Sequence, residues 1–411
     1  MKLHTIAGSA AGMIAIAGLL TMANPAWAGG YAQGFQGAGS AGVAGAVTGR
    51  PDIPEAGYYN PAGWALQDEW GLSGGGSLIL PIVVHEDPQS GDRTQAEIDG
   101  AFPPFFHAFG RIGDFAGGLS LGVPYGAGLQ WPEDWPGRFE VTSTSLEAYE
   151  ASPSVAWRPF DWLAIGGGPR FVWGRVSYER FLDFARPGEE GFVDLAASAP
   201  GIGGQVGIWG RPHDLLSLGA SWRSGMTLEF EGVAEFEDIP EEMQQDAHDT
   251  VARTDMVLPH RFALGLAYEV AAVGILSLDL EYSLWGAFET FEVEFDSDEV
   301  DDIVEDRDWN NTFAMRFGAE YLAPVEGLSI RSGLAIDPSP APQDTLSPAQ
   351  PDTDRTIMSL GAGYIPAEGI ALDVAYNFIT LNRTASTGDD FGGIYDGQIH
   401  VFSVGLQVTP R

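Results

Sequence analysis

The 411-residue chain contains no cysteine. No disulfide framework, thiolate metal site or thiol nucleophile is open to it. Its only lysine is Lys2, and its 20 basic residues stand against 57 acidic ones. So acidic a chain is a poor partner for nucleic acid. Two readings of the acidity stand side by side: a solvated surface, and divalent cations bridging it to neighbouring lipid headgroups. After Ala28 there is no uncharged apolar run of about 18 residues, so no helix can span a bilayer. A metal-type histidine motif is missing too: His85, His107, His213, His248, His260 and His400 show no such spacing. Asp296-Ser-Asp-Glu-Val-Asp-Asp302 lacks the glycine that a calcium loop of that length needs and reads as a solvated loop. Neither catalysis nor a metal or cofactor is expected.

What is present begins with an address. Lys2 precedes an uncharged stretch from Ile6 to Met22, and Ala26-Trp27-Ala28 is a signal-peptidase pattern. Residues 1–28 read as a signal peptide with Gly29 as the first mature residue. A retained anchor helix fits less well, because the stretch is short, rich in Ala and Gly, and ends at the cleavage pattern. Without Lys2 the charge becomes 19 − 57 = −38. No linker divides the remainder, which implies one large architecture.

Glycine (55 residues) and aromatic residues (11%) are abundant. Apolar and polar positions alternate with period two in segment after segment. Leu276, Leu278, Leu280 and Tyr282 alternate with Ser277, Asp279 and Glu281; Phe402, Val404, Leu406 and Val408 alternate with Ser403, Gly405 and Gln407. Such alternation marks strands. Their polar faces are small and glycine-rich, which suits a crowded wet lumen, while the large apolar side chains suit lipid. About fourteen segments follow between residues 70 and 409, the even number that closed bacterial barrels require. Short turns such as 158–161 and 210–214 alternate with long polar connections such as 125–137, 238–255 and 338–354. That is the pattern of periplasmic turns and extracellular loops. The expected fold is an all-β, multi-pass antiparallel barrel over residues 69–411 in the outer membrane. Residues 29–68 show no sustained alternation and cannot build a core alone. They are expected to plug the lumen.

At this point the residues resemble a family. Gly30-Tyr-Ala-Gln-Gly-Phe-Gln-Gly-Ala-Gly-Ser-Ala-Gly42 followed by Asn60-Pro61-Ala62-Gly63 is similar to the N-terminal hatch of FadL-type outer-membrane transporters. The stretch from Val123-Pro-Tyr-Gly126 to Trp135-Pro-Gly-Arg138 is similar to the exit of their third strand. Leu258-Pro259, Leu278-Asp279, Trp285 and Pro351-Asp-Thr-Asp-Arg355 continue the likeness in order. The resemblance implies a fourteen-stranded barrel that passively takes up hydrophobic molecules. Long-chain fatty acids are the first expectation, aromatic or alkane hydrocarbons the alternative, and a general diffusion porin a more distant one. It further implies capture by extracellular loops, a mature N-terminus that touches ligand and moves, and a kinked third strand that opens the wall to the bilayer. The expected partners are the hydrophobic ligand, outer-membrane lipid and the assembly machinery, with the protein a monomer.

Candidate site residues follow. Gly29, Tyr31, Phe35, Asn60, Pro61 and Ala62 are read as ligand-binding or gating, against plain packing of the plug and an ordinary Asn-Pro turn. Arg170, Arg316 and Arg331 fall on inward faces and are candidates for a ligand carboxylate, against pairing with lumen acids such as Asp279, Glu281 or Asp373. Gly126 and Gly128 are candidates for the lateral opening, because glycine relieves strand strain. Pro240-Glu-Glu begins an expected capture-loop helix with Ile239, Met243, Ala247 and Val251 on one face. The chain ends Gln407-Val-Thr-Pro-Arg411, without the terminal aromatic residue usual in such barrels; Phe402 is the nearest substitute.

Overall fold

The computed structural model describes residues 30–50, 53–67, 70–98, 100–186, 189–271, 273–297, 300–388 and 391–409. The expected signal peptide and Gly29 lie outside the described residues. Alternating apolar and small polar side chains give extended segments that pair in chain order. The first six are β1 (Trp70–Glu86), β2 (Pro104–Ile112), β3 (Phe115–Gln130), β4 (Ser143–Phe160), β5 (Leu163–Arg186) and β6 (Glu189–His213). The next four each run in two pieces. They are β7 (Leu216–Arg223 and Met226–Glu237), β8 (Thr250–Leu258 and Arg261–Val270), β9 (Gly274–Ser283 and Thr290–Phe295) and β10 (Ile303–Asp306 and Thr312–Leu322). The last four are β11 (Leu328–Asp337), β12 (Arg355–Ala367), β13 (Ile370–Ala385) and β14 (Ile394–Val408). β14 returns to β1 with an unbroken register from Leu72↔Val408 to Glu86↔Ile394, closing a fourteen-stranded antiparallel barrel. Closure leaves no unpaired sheet edge, which is what a hydrocarbon environment demands.

The alternation points outwards. Leu276, Tyr282, Leu360, Val374, Phe402, Val404 and Leu406 are exposed, whereas Ser277, Asp279, Ser359, Asn377 and Ser403 are buried. A soluble sandwich would bury the first set and expose the second. One rim carries tight hairpins, with Gly113 (φ 60°) and Gly369 (φ 75°) in the left-handed conformation that a two-residue turn requires. The other rim carries the long connections 131–142, 238–249 and 338–354.

Residues 36–50 and 53–67 touch strands on every side of the ring. Trp64 Nε1 donates to Ser154 Oγ of β4 at 2.8 Å, and Asn60 Nδ2 to the Ile208 carbonyl of β6 at 3.0 Å. The Val47 and Thr48 amides donate to Asp279 of β9 at 2.9 and 2.7 Å, and Arg50 pairs with Glu320 of β10. Ala41, Val43, Ala46, Val47, Ala62 and Ala65 are completely buried. Wall glycines make this close approach possible. A Cβ at Gly118 would strike the Trp64 ring, and one at Gly219 the Thr48 carbonyl.

The expected capture-loop helix is a correction. The stretch forms a single 3-10 turn, Glu241–Met243, and Val251 belongs to β8. The pairing of Val251 with Val233 draws the chain into the wall before a second helical turn can form.

Candidate ligand cavity

β2 and β3 do not stay zipped along their whole length. Their ladder runs from Ile112↔Phe115 to Phe106↔Leu121 and stops. The chains meet again where the Glu97 amide donates to the Gln130 carbonyl at 2.7 Å. Between these points Pro103 and Pro104 offer no N–H, so a ladder cannot form there. β3 also bulges on its other side, the register with β4 slipping between Gly122 and Tyr125, around Pro124. The bulge thus lies before Gly126 and Gly128. A Cβ at Gly128 would meet open space and one at Gly126 only ordinary contacts, so the prolines make the irregularity rather than these glycines.

A cavity of about 440 Å³ opens at this parting. Phe102, Pro104, Val123, Leu129, Leu146, Tyr149, Met256 and Phe291 give it apolar walls, and Gly126 and Gly128 line it. Gly30 and Tyr31 form its inner side. Tyr31 belongs to an aromatic cluster with Trp285 and Trp309, at centroid distances of 6.3 and 5.5 Å. That cluster exists because β9 breaks into a 3-10 turn at Trp285–Ala287 and β10 breaks before Thr312, turning both indoles inwards. A smaller cavity of about 70 Å³ continues past Phe35 between Ile357, Ile379 and Val401.

Two cations face the larger cavity, Arg307 just past the first piece of β10 and Arg355 at the first residue of β12. Arg307 pairs with Glu305 at 2.6 Å and sits over the Phe291 ring at 5.3 Å. Arg355 lies 3.7 Å from Asp337 and donates to the Gly30 carbonyl at 3.3 Å. The Nε–H of each is buried without a hydrogen-bond partner. Beside them Asp352 accepts from the Gly30 amide at 3.0 Å. Burial raises its carboxyl above the ordinary range, and burial together with the Asp352 charge pushes Asp354 up to about 7. Burial also pushes the Tyr31 hydroxyl up to about 12, so it remains a neutral donor, here to Gln350.

The arginines expected to serve a carboxylate are elsewhere and already paired. Arg170 pairs with Glu150 at 2.7 Å, and Glu150 also holds Arg223. Arg316 lies 3.7 Å from Glu281, and Arg331 pairs with Glu320 at 3.3 Å and with Asp373. None of the three lines the cavity. Asn60, Pro61 and Ala62 are also remote from it. The Asn60 side chain accepts from the Ala62 amide at 3.2 Å and donates to the Thr48 carbonyl at 3.1 Å, tethering the segment to β6. Arg307 and Arg355 escaped sequence reasoning because they sit beside strand ends. The proline-rich, acidic stretch before Arg355 was the available signal.

A closed antiparallel barrel with its apolar face outwards and a hydrophobic cavity inside defines an outer-membrane transport protein. Residues 19–409 match the family model described as outer membrane protein transport protein (OMPP1/FadL/TodX), and the chain belongs to that family. It is 22% identical to outer membrane protein P1 of Haemophilus influenzae, covering 76% of this chain and 75% of that one. To a long-chain fatty acid transport protein of Escherichia coli it is also 22% identical, over 82% and 83% of the two chains. In fold it is similar to a Pseudomonas aeruginosa FadL homologue (TM-score 0.84, 20% identity, 92% and 99% covered). It is likewise similar to the toluene transporter TodX of P. putida (TM-score 0.74, 17% identity, 90% and 97% covered). The protein is therefore a transporter of hydrophobic molecules in the bacterial outer membrane, and not an enzyme.

Proposed function

We propose that the protein takes up long-chain fatty acids, with the acyl chain along the apolar cavity wall and the carboxylate at Arg307 and Arg355. The observation that carries this reading is that Arg307 and Arg355, each with a buried Nε–H that lacks a hydrogen-bond partner, line a cavity whose walls are mainly apolar. A carboxylate would satisfy both, whereas toluene or an alkane would leave them as they are. Residues 1–28 are removed on export, residues 29–68 act as a hatch, and the assembly machinery inserts the barrel into lipid as a monomer. Extracellular loops pass ligand to the cavity, and ligand leaves sideways where β2 and β3 part. The flow is diffusive, and its driving force is the apolar surface withdrawn from water, about 25 cal/mol per Å².

The test is uptake by cells lacking their own fatty-acid channel, using radiolabelled oleate, toluene and a polar sugar. Oleate and not sugar should enter with this protein. Replacing both Arg307 and Arg355 by Met should raise the half-saturating oleate concentration at least tenfold, since charged hydrogen bonds are worth roughly 1.5–3 kcal/mol each. Toluene entry should be unchanged by the substitutions. Oleate uptake indifferent to them would sink the carboxylate assignment, and free sugar entry would sink the hatch.

A further inference from the structure

Where β2 and β3 part, one N-terminal residue is bonded to both strands, by its side chain to β3 and by its backbone carbonyl to β2. The Gln36 side-chain amide donates to the Val123 carbonyl of β3 at 3.0 Å. The Gln36 backbone carbonyl lies 2.7 Å from His107 Nε2 of β2, whose Nδ1 lies 3.1 Å from Ser120 Oγ of β3. A carbonyl can only accept, so Nε2 carries the proton and Nδ1 accepts from the serine hydroxyl. Gln36, His107 and Ser120 are all buried. A Cβ at Gly122 would collide with Gln36 Oε1, so the wall is shaped around this side chain.

The neighbouring residues continue the pattern. The Gln33 amide donates to the Pro124 carbonyl at 2.8 Å, the Gly126 amide to the Tyr31 carbonyl at 3.0 Å, and Gln33 Nε2 to the Gly126 carbonyl at 2.7 Å. Ala32 and Tyr125 form an isolated antiparallel bridge. Each buried backbone group of β3 needs a partner, and the prolines on the β2 side supply no donors. Residues 31–36 supply them instead.

We infer that Gln36 and His107 form a clasp by which the N-terminal segment replaces β2 as the partner of bulged β3, holding the wall opening in shape. These are positioning residues: they do not contact ligand in the larger cavity. The inference rests on lateral exit as proposed above, and its consequence is that the N-terminal segment and the wall opening move together. Ligand pushing on Tyr31 pulls on the same hydrogen bonds that set β3.

The test uses the full chain. Gln36→Met keeps the side chain's length and removes its amide; His107→Phe keeps a ring and removes both nitrogens, and serves if the first variant fails to fold. Hydrogen exchange of the peptide covering residues 122–128 should quicken about tenfold, the equivalent of one net hydrogen bond, with peptides of β12–β14 unchanged. The maximal rate of oleate uptake should fall while the half-saturating concentration holds, because the cavity is intact. Unchanged exchange at 122–128 in both variants overturns the clasp. Faster exchange with normal uptake overturns its role in transport. If the unaltered protein takes up no oleate, the fatty-acid reading fails, and the exchange arm still decides the clasp.

Discussion

Asp354 is a half-buried carboxyl with Asp352 for a neighbour and Ser339 N donating to it at 3.2 Å. Burial is the larger cause of its rise to about 7, and the Asp352 charge the second. A raised carboxyl pKa means that the folded loop holds its proton more tightly than the unfolded chain does. The resulting stability is complete below the unfolded value of about 3.9 and is lost as pH rises through about 7. The loop 338–354, which carries the partners of Gly30 and Tyr31, should therefore loosen between pH 5.5 and 8. Hydrogen exchange of that loop, corrected for the intrinsic pH effect, should be faster at pH 8. Asp354→Asn should abolish the difference. Equal protection at both pH values would remove this carboxyl from any role in loop stability.

Elements were more legible than their interruptions. Fourteen alternating segments could be counted because a wall strand shows one face to lipid and one to the lumen, and period two survives even where single residues deviate. The breaks in β7 to β10 are not visible in the alternation. Tertiary packing makes those breaks: Trp285 and Trp309 turn inwards to meet Tyr31, a partner more than 250 residues away in sequence. Buried charges were half legible. Inward arginines at 170, 316 and 331 could be placed from alternation, but their partners depend on register between strands. Glu150 is the clearest case, with the guanidinium groups of Arg170 on β5 and Arg223 on β7 both on its carboxylate. Glu150→Gln leaves two buried cations short of a counter-charge and should cost about 3–5 kcal/mol, read as a lower denaturant midpoint of the detergent-solubilised barrel. Glu229→Gln, on the exposed face of β7, should shift it by less than about 0.5 kcal/mol. Similar shifts from the two variants would mean that the buried triad contributes no more than a surface charge.

For the whole molecule, the wall and the segment inside it are held by different forces. The wall is a backbone ladder from β1 round to β14 and back to β1, and residues 30–67 enter it only where β2 and β3 part, through the bonds of residues 31–33 to β3. Elsewhere the inner segment is held by side-chain and capping contacts to the wall, among them Asp279, Glu320 and Ser154. Removing residues 30–67 should therefore leave a folded barrel, while the glycines that made room for Trp64 and Thr48 would line an open lumen. Asp279 and Glu320 would then be solvated by the entering water, and Glu320 keeps Arg331, so losing their partners in the segment costs far less than it would in a dry interior. The deleted protein should keep the compact gel mobility of a folded barrel, lose selective oleate uptake and admit a polar sugar. A barrel that fails to assemble without the segment would show that the segment is part of the folding core. One that assembles yet still excludes sugar would show that the wall alone closes the lumen.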